Sequence, residues 1–254
     1  MQTLFIGKQL IFLHEVDSTN TYAMNLLRNV NTAEGAIIYT DHQTKGKGQR
    51  GSVWNSEMGL NLIISCILKP HFLDIKNTFY LSKISALAAY DVMTELLFDS
   101  QYDIKIKWPN DILVNKKKVA GILIENNFNH IGLQHSIVGI GINVNQIDFQ
   151  ELQPLVSSLK IMTKKHFDRD EVLKNLCHKL EKWYLKLKTG KIEEIDSTYL
   201  NNLIGFKTQN SFIDLSNTTF DASINSISND GKLILKLANG AFRTFEVKEV
   251  KMLL

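Results

Sequence analysis

Only two cysteines, Cys66 and Cys177, occur in the 254 residues, and both sit inside hydrophobic runs. That scarcity excludes a disulfide-stapled secreted scaffold and reads as buried thiols in a reducing cytosol. No stretch reaches the run of about 18 apolar residues that a membrane-spanning helix needs. The N-terminal MQTLFIGKQL is interrupted by Gly7 and Lys8 and has no small-residue cleavage site, so no signal peptide is read there. A cytoplasmic protein without a membrane partner is the expectation. Charge of one sign is also in short supply: 29 basic residues face 26 acidic ones, a net charge of +3. A broad nucleic-acid-binding face is therefore not expected, and basic residues matter only where they cluster. Internal repeats and low-complexity segments are absent.

What is present is a regular alternation of strand-like and helix-like segments. Residues 9–16, 35–42, 60–68, 103–108 and 135–145 read as strands, and DILV and VAGILIEN as a hairpin joined by NKKK (115–118). Apolar residues at helical spacing mark helices over 17–29, 76–98 and 168–188, the first opened by Asp17 or Ser18 as N-cap. After Gly205 the pattern changes to short strands with turns at SNDG and ANG. The chain thus divides into a large α+β unit of mixed sheet and helices, 1–204, and a small β-barrel, 205–254.

Two segments carry the chemistry. TKGKGQRGSVWNS (44–56) packs three glycines, two lysines and an arginine between Lys45 and Gly51. Glycine loses the most freedom on ordering, and like charges this close repel, so an anion is the natural compensation. The spacing fits neither a P-loop nor a dinucleotide fingerprint. Taken alone, the string could equally be a plain surface loop. KIKWPNDILVNKKKVAGILIE (105–125) is the second segment. WPND alone is a tight turn with a packed tryptophan, and Lys118 alone is a solvated turn lysine. Yet Lys118 directly precedes a buried-looking strand that could hold it in place.

Together these segments resemble the biotin–protein ligases. DSTNTYA, QTKGKGQRG…W, NLIIS, KWPNDILV…KKVAGILIE and VGIGINVN follow one another in order along nearly the whole chain. The resemblance implies a fold and a reaction. The fold is a class II synthetase-like catalytic domain followed by an SH3-like barrel. The reaction joins biotin to ATP as biotinyl-5′-AMP and transfers the acyl group to a lysine of a carboxylase's biotin carrier domain. ATP and Mg²⁺ are then co-substrates, and no tightly bound prosthetic group is expected. Ser18 arrives after only 17 residues, which implies the short form without a DNA-binding domain, and a homodimer is compatible with it.

By the same resemblance Ser18, Thr19, Asn20 and Gln43 bind biotin's ureido end, though an N-cap role for Ser18–Asn20 can hold alongside. Gly46 and Gly48 let the loop backbone close over the adenylate, flanked by Lys47, Gln49 and Arg50. Gly121 leaves space beside the ligand. Trp54 and Asn143 lie on the adenylate side, Asn143 alternatively just ending its strand. Lys47 and Lys118 are the cations for the carboxylate and α-phosphate. Asp111 orients or deprotonates the acceptor lysine, or serves its turn alone. Three departures stand out: Lys47 and Gln49 replace arginines common in the family, Ile63 replaces a common tyrosine, and the terminal FEVKEVKMLL lacks the usual GE. Lysine is a point charge where arginine is a fork. Two rival readings remain, a lipoate or octanoate ligase or transferase of the same fold and a nucleic-acid-binding module.

Overall fold

The structure is a computed structural model that describes residues 2–98 and 101–253, and only the backbone of Arg50. Seven strands form the main sheet: β1 (Leu10–Val16), β2 (Ile37–Gln43), β3 (Leu62–Leu68), β4 (Ile104–Lys107), β5 (Asp111–Val114), β6 (Lys117–Asn129) and β7 (Gly132–Ile142). Their spatial order is β1-β2-β3-β7-β6-β5-β4. Only the β1–β2 pair is parallel, and α1 (Thr19–Asn29) makes the crossover that a parallel pair requires.

The two faces of the sheet differ, and the period-two alternation of the strands says how. Ile64, Cys66, Leu68, Ile122, Val138, Ile140 and Ile142 face one large core shared with α2 (Phe79–Leu96) and α4 (Arg169–Lys188). Ala36, Ile38, Ile67 and Ile137 face the other side, where Ala23 of α1 completes a smaller cluster. Further along that second face the apolar side chains give way to Ser65, Gly139, Gly141 and Gly121. The first turn of α1 reaches Ser65 and Gly139 through Thr19 and Asn20, and beyond it Gly141 and Gly121 lie under the Trp54 ring.

The expected helices and strands are present, with shifts of a few residues at their ends. Ile75–Asn77 form a 3₁₀ turn before α2, which starts later than the apolar spacing suggested. The hairpin turn is tighter than NKKK implied: Asn115 and Lys116 both take positive φ, 48° and 64°, as a two-residue hairpin loop demands. Lys117 and Lys118 therefore belong to β6. Two short helices had no clear signal, α3 (Leu159–Thr163) and α5 (Ile192–Asn201), the latter burying only Ile195 and Tyr199.

Buried polar groups tie the helices down. Glu181 of α4 accepts the backbone N–H groups of Leu4, Phe5 and Ile6 at 2.6, 2.8 and 2.9 Å. Lys83 of α2, 3% exposed, meets Asp196 of α5 at 2.6 Å, and the Tyr80 hydroxyl donates to the same carboxylate. Burial and that carboxylate push the Tyr80 phenol well up from its ordinary value.

The C-terminal strands β8 (Gln209–Asp214), β9 (Thr219–Ile227), β10 (Leu233–Leu237), β11 (Phe242–Phe245) and β12 (Val250–Met252) form a second, antiparallel sheet in the order β11-β10-β9-β8-β12. Phe212, Ile224, Leu235 and Met252 of this unit join the large core. Trp108 donates its indole N–H to the Gly231 carbonyl at 2.9 Å, fastening the unit beside the main sheet.

Candidate active site

Lys107 on β4, Asp111 on β5, Gly121 on β6, Gly141 on β7 and Ile63 on β3 stand directly opposite one another in successive strand pairs. Directly opposed residues share a face, so this row forms one floor with two charges at one end and two glycines in the middle. A β-bulge places the key cation on it. The β5–β6 register slips between Ile112 and Leu113, leaving Val119 as the extra residue. In a regular strand Lys118 and Gly121, three apart, would point to opposite faces. Here Lys118 Nζ lies within 3.2 Å of where a Gly121 side chain would begin. On its other edge the Val119 carbonyl accepts the Asn143 N–H at 2.8 Å, in line with the β6–β7 register.

Lys118 pairs with Asp111 at 2.7 Å, the two being 31% and 23% exposed. Lys107 adds a third charged group. Burial lowers its pKa from the ordinary lysine value, and Lys251 and Lys118 push the same way against the opposing pull of Asp111. A preformed, partly desolvated cationic pocket of this kind favours an incoming anion.

The glycine-rich loop folds back over this floor. Lys47 bridges to Val53, Gly48 N–H bonds the Ser52 carbonyl at 2.7 Å, and Trp54 N–H bonds the Gly46 carbonyl at 3.0 Å. A single 3₁₀ turn, Gln49–Gly51, forms the tip. The closure lays the Trp54 ring on the two floor glycines. A side chain at Gly141 would meet ring atoms at 2.5 Å, and one at Gly121 would meet them at 3.0 Å. Lys118 Nζ lies 5.5 Å from the same ring, while the Trp54 indole N–H is buried without a partner.

At the other end of the cavity Ser18, Thr19 and Asn20 are 2–3% exposed. Ser18 is the N-cap residue by backbone position, but its side chain makes no capping bond. Thr19 N–H donates to Gln43 Oε1 at 2.8 Å. Asn20 reaches across the sheet to the Leu123 carbonyl and Glu125, and Gly139 provides the space, since a side chain there would come within 2.5 Å of Asn20 Oδ1.

Two cavities result. The first, about 470 Å³, is lined by Ser18, Thr19, Asn20, Gln43, Lys47, Gly48, Gln49, Trp54, Asp111, Lys118 and Gly121 among the expected residues. The second, about 680 Å³, is lined by Asn143, Phe149, Leu152, Pro154, Leu155 and residues 115–118. They share Val53, Trp54, Lys107, Asp111, Lys118, Lys251 and Met252 as a common wall. Gly46 lies just behind, packed against the Trp54 backbone and the Gln43 amide. Lys47 Nζ, at the rim, donates to Thr21 at 2.8 Å. The Arg50 side chain lies outside the described residues. Asn143 is apart from the first cavity: it follows the last residue of β7, and its side chain donates to the Ser157 carbonyl at 3.1 Å.

Sequence reasoning missed Lys107, Ser65, Gly139, Gly141 and the C-terminal residues Lys248 and Lys251, which also line the first cavity apart from Ser65. The glycines had a legible signal, since GIGI alternates with period two. Lys251 had none, because only tertiary packing carries it there. Among the described residues no group of three or more His, Cys, Asp or Glu side chains is arranged to hold a metal, and no helix is long and apolar enough to cross a membrane.

Comparison with known proteins matches this arrangement. The Biotin/lipoate A/B protein ligase family matches residues 12–143. The chain is 32% identical over 243 residues to the bifunctional ligase/repressor BirA of Bacillus subtilis, covering 94% of this chain and 73% of that protein. It is 32% identical over 192 residues to the biotin–[acetyl-CoA-carboxylase] ligase of Paracoccus denitrificans, covering 74% and 78% respectively. Among solved structures, a biotin protein ligase from Aquifex aeolicus in complex with biotin and ATP superposes with a TM-score of 0.77 at 27% identity, covering 96% of this chain and 98% of that one. The resemblance carried by the motifs is borne out, and the chain belongs to the Biotin/lipoate A/B protein ligase family.

Proposed function

We propose that this protein is a biotin–[acetyl-CoA-carboxylase] ligase that activates biotin as biotinyl-5′-AMP and passes it to a lysine of a biotin carrier domain. One observation carries the reading: two adjoining cavities meet at a wall that bears Lys107, Asp111 and Lys118. The reaction needs that geometry, because an acid and a nucleotide have to meet end to end.

Biotin enters the first cavity with its ureido ring toward Ser18–Asn20 and Gln43. Its ring is uncharged, which suits short polar side chains. The nucleotide takes the second cavity, with Asn143 and the 149–156 segment around the adenosine and its phosphates at the shared wall. A biotin carboxylate oxygen attacks the α-phosphorus, the bond to pyrophosphate breaks, and the mixed anhydride stays bound. Lys118 and Lys107 stabilise charge building on the phosphate, with Lys47 and Arg50 contributed by the loop. Mg²⁺ arrives with ATP as part of that substrate. The acceptor ε-amino group then attacks the acyl carbon, a C–N bond forms and AMP leaves. Asp111 orients that amine or takes its proton. The chain needs no nucleophile of its own, and its work is positioning and preorganised electrostatics.

The division at 204/205 belongs to the same reading. The second sheet packs beside the site and its Lys251 lies on the wall shared by the two cavities, which supports a part in nucleotide binding. The protein partner is the carrier domain of a carboxylase, with neither DNA nor a membrane among the partners, and a homodimer is compatible. Cys66 and Cys177, buried and free, support a reducing, cytoplasmic setting.

Mass spectrometry of a carrier domain incubated with this protein, biotin and Mg·ATP tests the proposal. One added biotin on a single lysine is expected. Addition of lipoate or octanoate in its place would support the rival ligase reading and end this one.

A further inference from the structure

Gln146 lines neither cavity and is only 6% exposed, yet both ends of its side-chain amide are engaged. The partners fix how that amide points. The Glu57 N–H, 3.1 Å from one end, can only donate, and the Asp148 carbonyl, 2.6 Å from the other, can only accept. The Gln146 oxygen therefore faces Glu57 and its NH₂ faces Asp148. Asn61 agrees with this assignment. Its Oδ1 accepts the Val144 N–H at 3.0 Å, which turns its own NH₂ onto Gln146 Oε1 at 2.6 Å.

These bonds join two pieces of chain that border different cavities. Glu57 follows Trp54 by three residues, on the limb that brings the glycine-rich loop back to β3. Asp148 opens into the 149–156 segment beside the second cavity. The far end of that segment is paired to Lys118: the Lys118 N–H donates to the Leu155 carbonyl and the Ser157 N–H to the Lys118 carbonyl, each at 2.9 Å. The root of the limb is held independently of Gln146, by the Gly59 N–H on the Asp41 carbonyl and the Asn145 N–H on the Leu60 carbonyl. Glu57, farther out, is tied to the second segment through Gln146. We infer that Gln146 is a positioning residue that joins the cover of the first cavity to the cover of the second, so that the two close as one unit. The inference rests on the placement of biotin and nucleotide proposed above. Covers that close together let either ligand prepare the seat of the other, and by linkage each then tightens the other by the same factor.

Gln146→Met keeps an unbranched side chain of similar length and makes none of these bonds. Gln146→Glu still accepts from Glu57 and Asn61 but, when ionised, cannot donate to Asp148. Glu57 and Asp148 are exposed residues, so water can take up the freed backbone groups and the fold should persist. Calorimetric titration of biotin into wild type and both variants, with and without α,β-methylene-ATP and Mg²⁺, tests the inference. The methylene group replaces the bridging oxygen that departs with pyrophosphate, so binding is read without reaction. The analogue should tighten biotin binding to wild type about fivefold or more. That ratio should fall to near one in Gln146→Met and part of the way in Gln146→Glu, which keeps the limb bond. General loosening would instead weaken each ligand alone and leave the ratio standing. A wild-type ratio in either variant, or a ratio of one in wild type, overturns the inference. Should wild type bind neither biotin nor the analogue, the placement proposed above fails and takes this inference with it.

Discussion

The Lys118 ammonium sits 2.7 Å from the Asp111 carboxylate although the two side chains leave different strands, β6 and β5. Asp111 is directly opposite Gly121, and Lys118 is aimed over that glycine by the bulge at Val119. In the absence of ligand the carboxylate holds the cation at the junction of the cavities. On the proposed reading, an α-phosphate arriving there meets a lysine already held by its carboxylate partner.

Lys118→Ala removes the charge proposed to meet the transferring phosphate. Charge-assisted contacts are worth roughly 1.5–3 kcal/mol, so biotin-dependent ATP–pyrophosphate exchange should fall by about one to two decades. The fold should persist, because the side chain is a third exposed. An exchange rate equal to wild type would remove Lys118 from the chemistry.

Gly141→Ala places a methyl group where the Trp54 ring lies. The neighbour is an aromatic ring fixed by the closed loop, so the tryptophan has to leave its seat. Biotin affinity should drop about tenfold or more, with cleavage of the 44–56 loop by trypsin accelerating in parallel. Unaltered proteolysis would mean the loop closes without the tryptophan contact.

Biotin and ATP together should protect that loop in the wild-type protein. Lys45, Lys47 and Arg50 put three like charges within six residues of sequence, a repulsion that a bound anion would offset. Trypsin digestion with and without the two substrates checks it. Equal cleavage rates in both would show that the loop takes no part in binding.

Lys107 gives the site a pH dependence. Its folded-state pKa is lowered below the ordinary 10.5, first by burial. As pH rises through the lowered value Lys107 loses its charge, so ATP affinity should fall in the alkaline range before an ordinary lysine would titrate. Bound phosphate pulls the pKa back up, so binding in that window takes up protons. For the ligand-free fold, the unfolded chain binds more protons there, and stability rises with pH. Calorimetry in buffers of different ionisation enthalpy reads the proton uptake. Lys107→Met should abolish it, and uptake that survives the substitution would assign it to another group.

Asp196→Ala leaves Lys83 charged and buried between α2 and α5. Asp196 is 35% exposed, so the pair is only half buried and breaking it should cost about 1–3 kcal/mol. Urea denaturation should show a loss of that size, and a loss below about 1 kcal/mol would mean that water reaches Lys83.

Most of the secondary structure was legible because it is written locally. Ile and Gly alternate in VGIGIN, and one strand then carries a core face and a bare face. Leu173, Leu176, Leu180 and Tyr184 repeat at helical spacing and bury one side of α4. α5 was not legible, since its ten residues hold only two buried ones. Within the site, the Ser18–Asn20 segment, the glycine-rich loop and Lys118 were visible as motifs. Lys107 was not, for a lysine on an alternating strand looks like any solvated one until its neighbours are known.

The amino-acid sequence alone determined the class of the fold, the order of its elements and the two cationic segments, since each depends on residues close together in the chain. Which of those residues share a floor was decided by the tertiary structure. Strand register sets Lys107, Asp111, Gly121 and Gly141 in one row, a single extra residue turns Lys118 onto it, and the C-terminal sheet brings Lys251 to its edge. Register and docking are set by the packing of the whole molecule, so no short stretch of sequence encodes them.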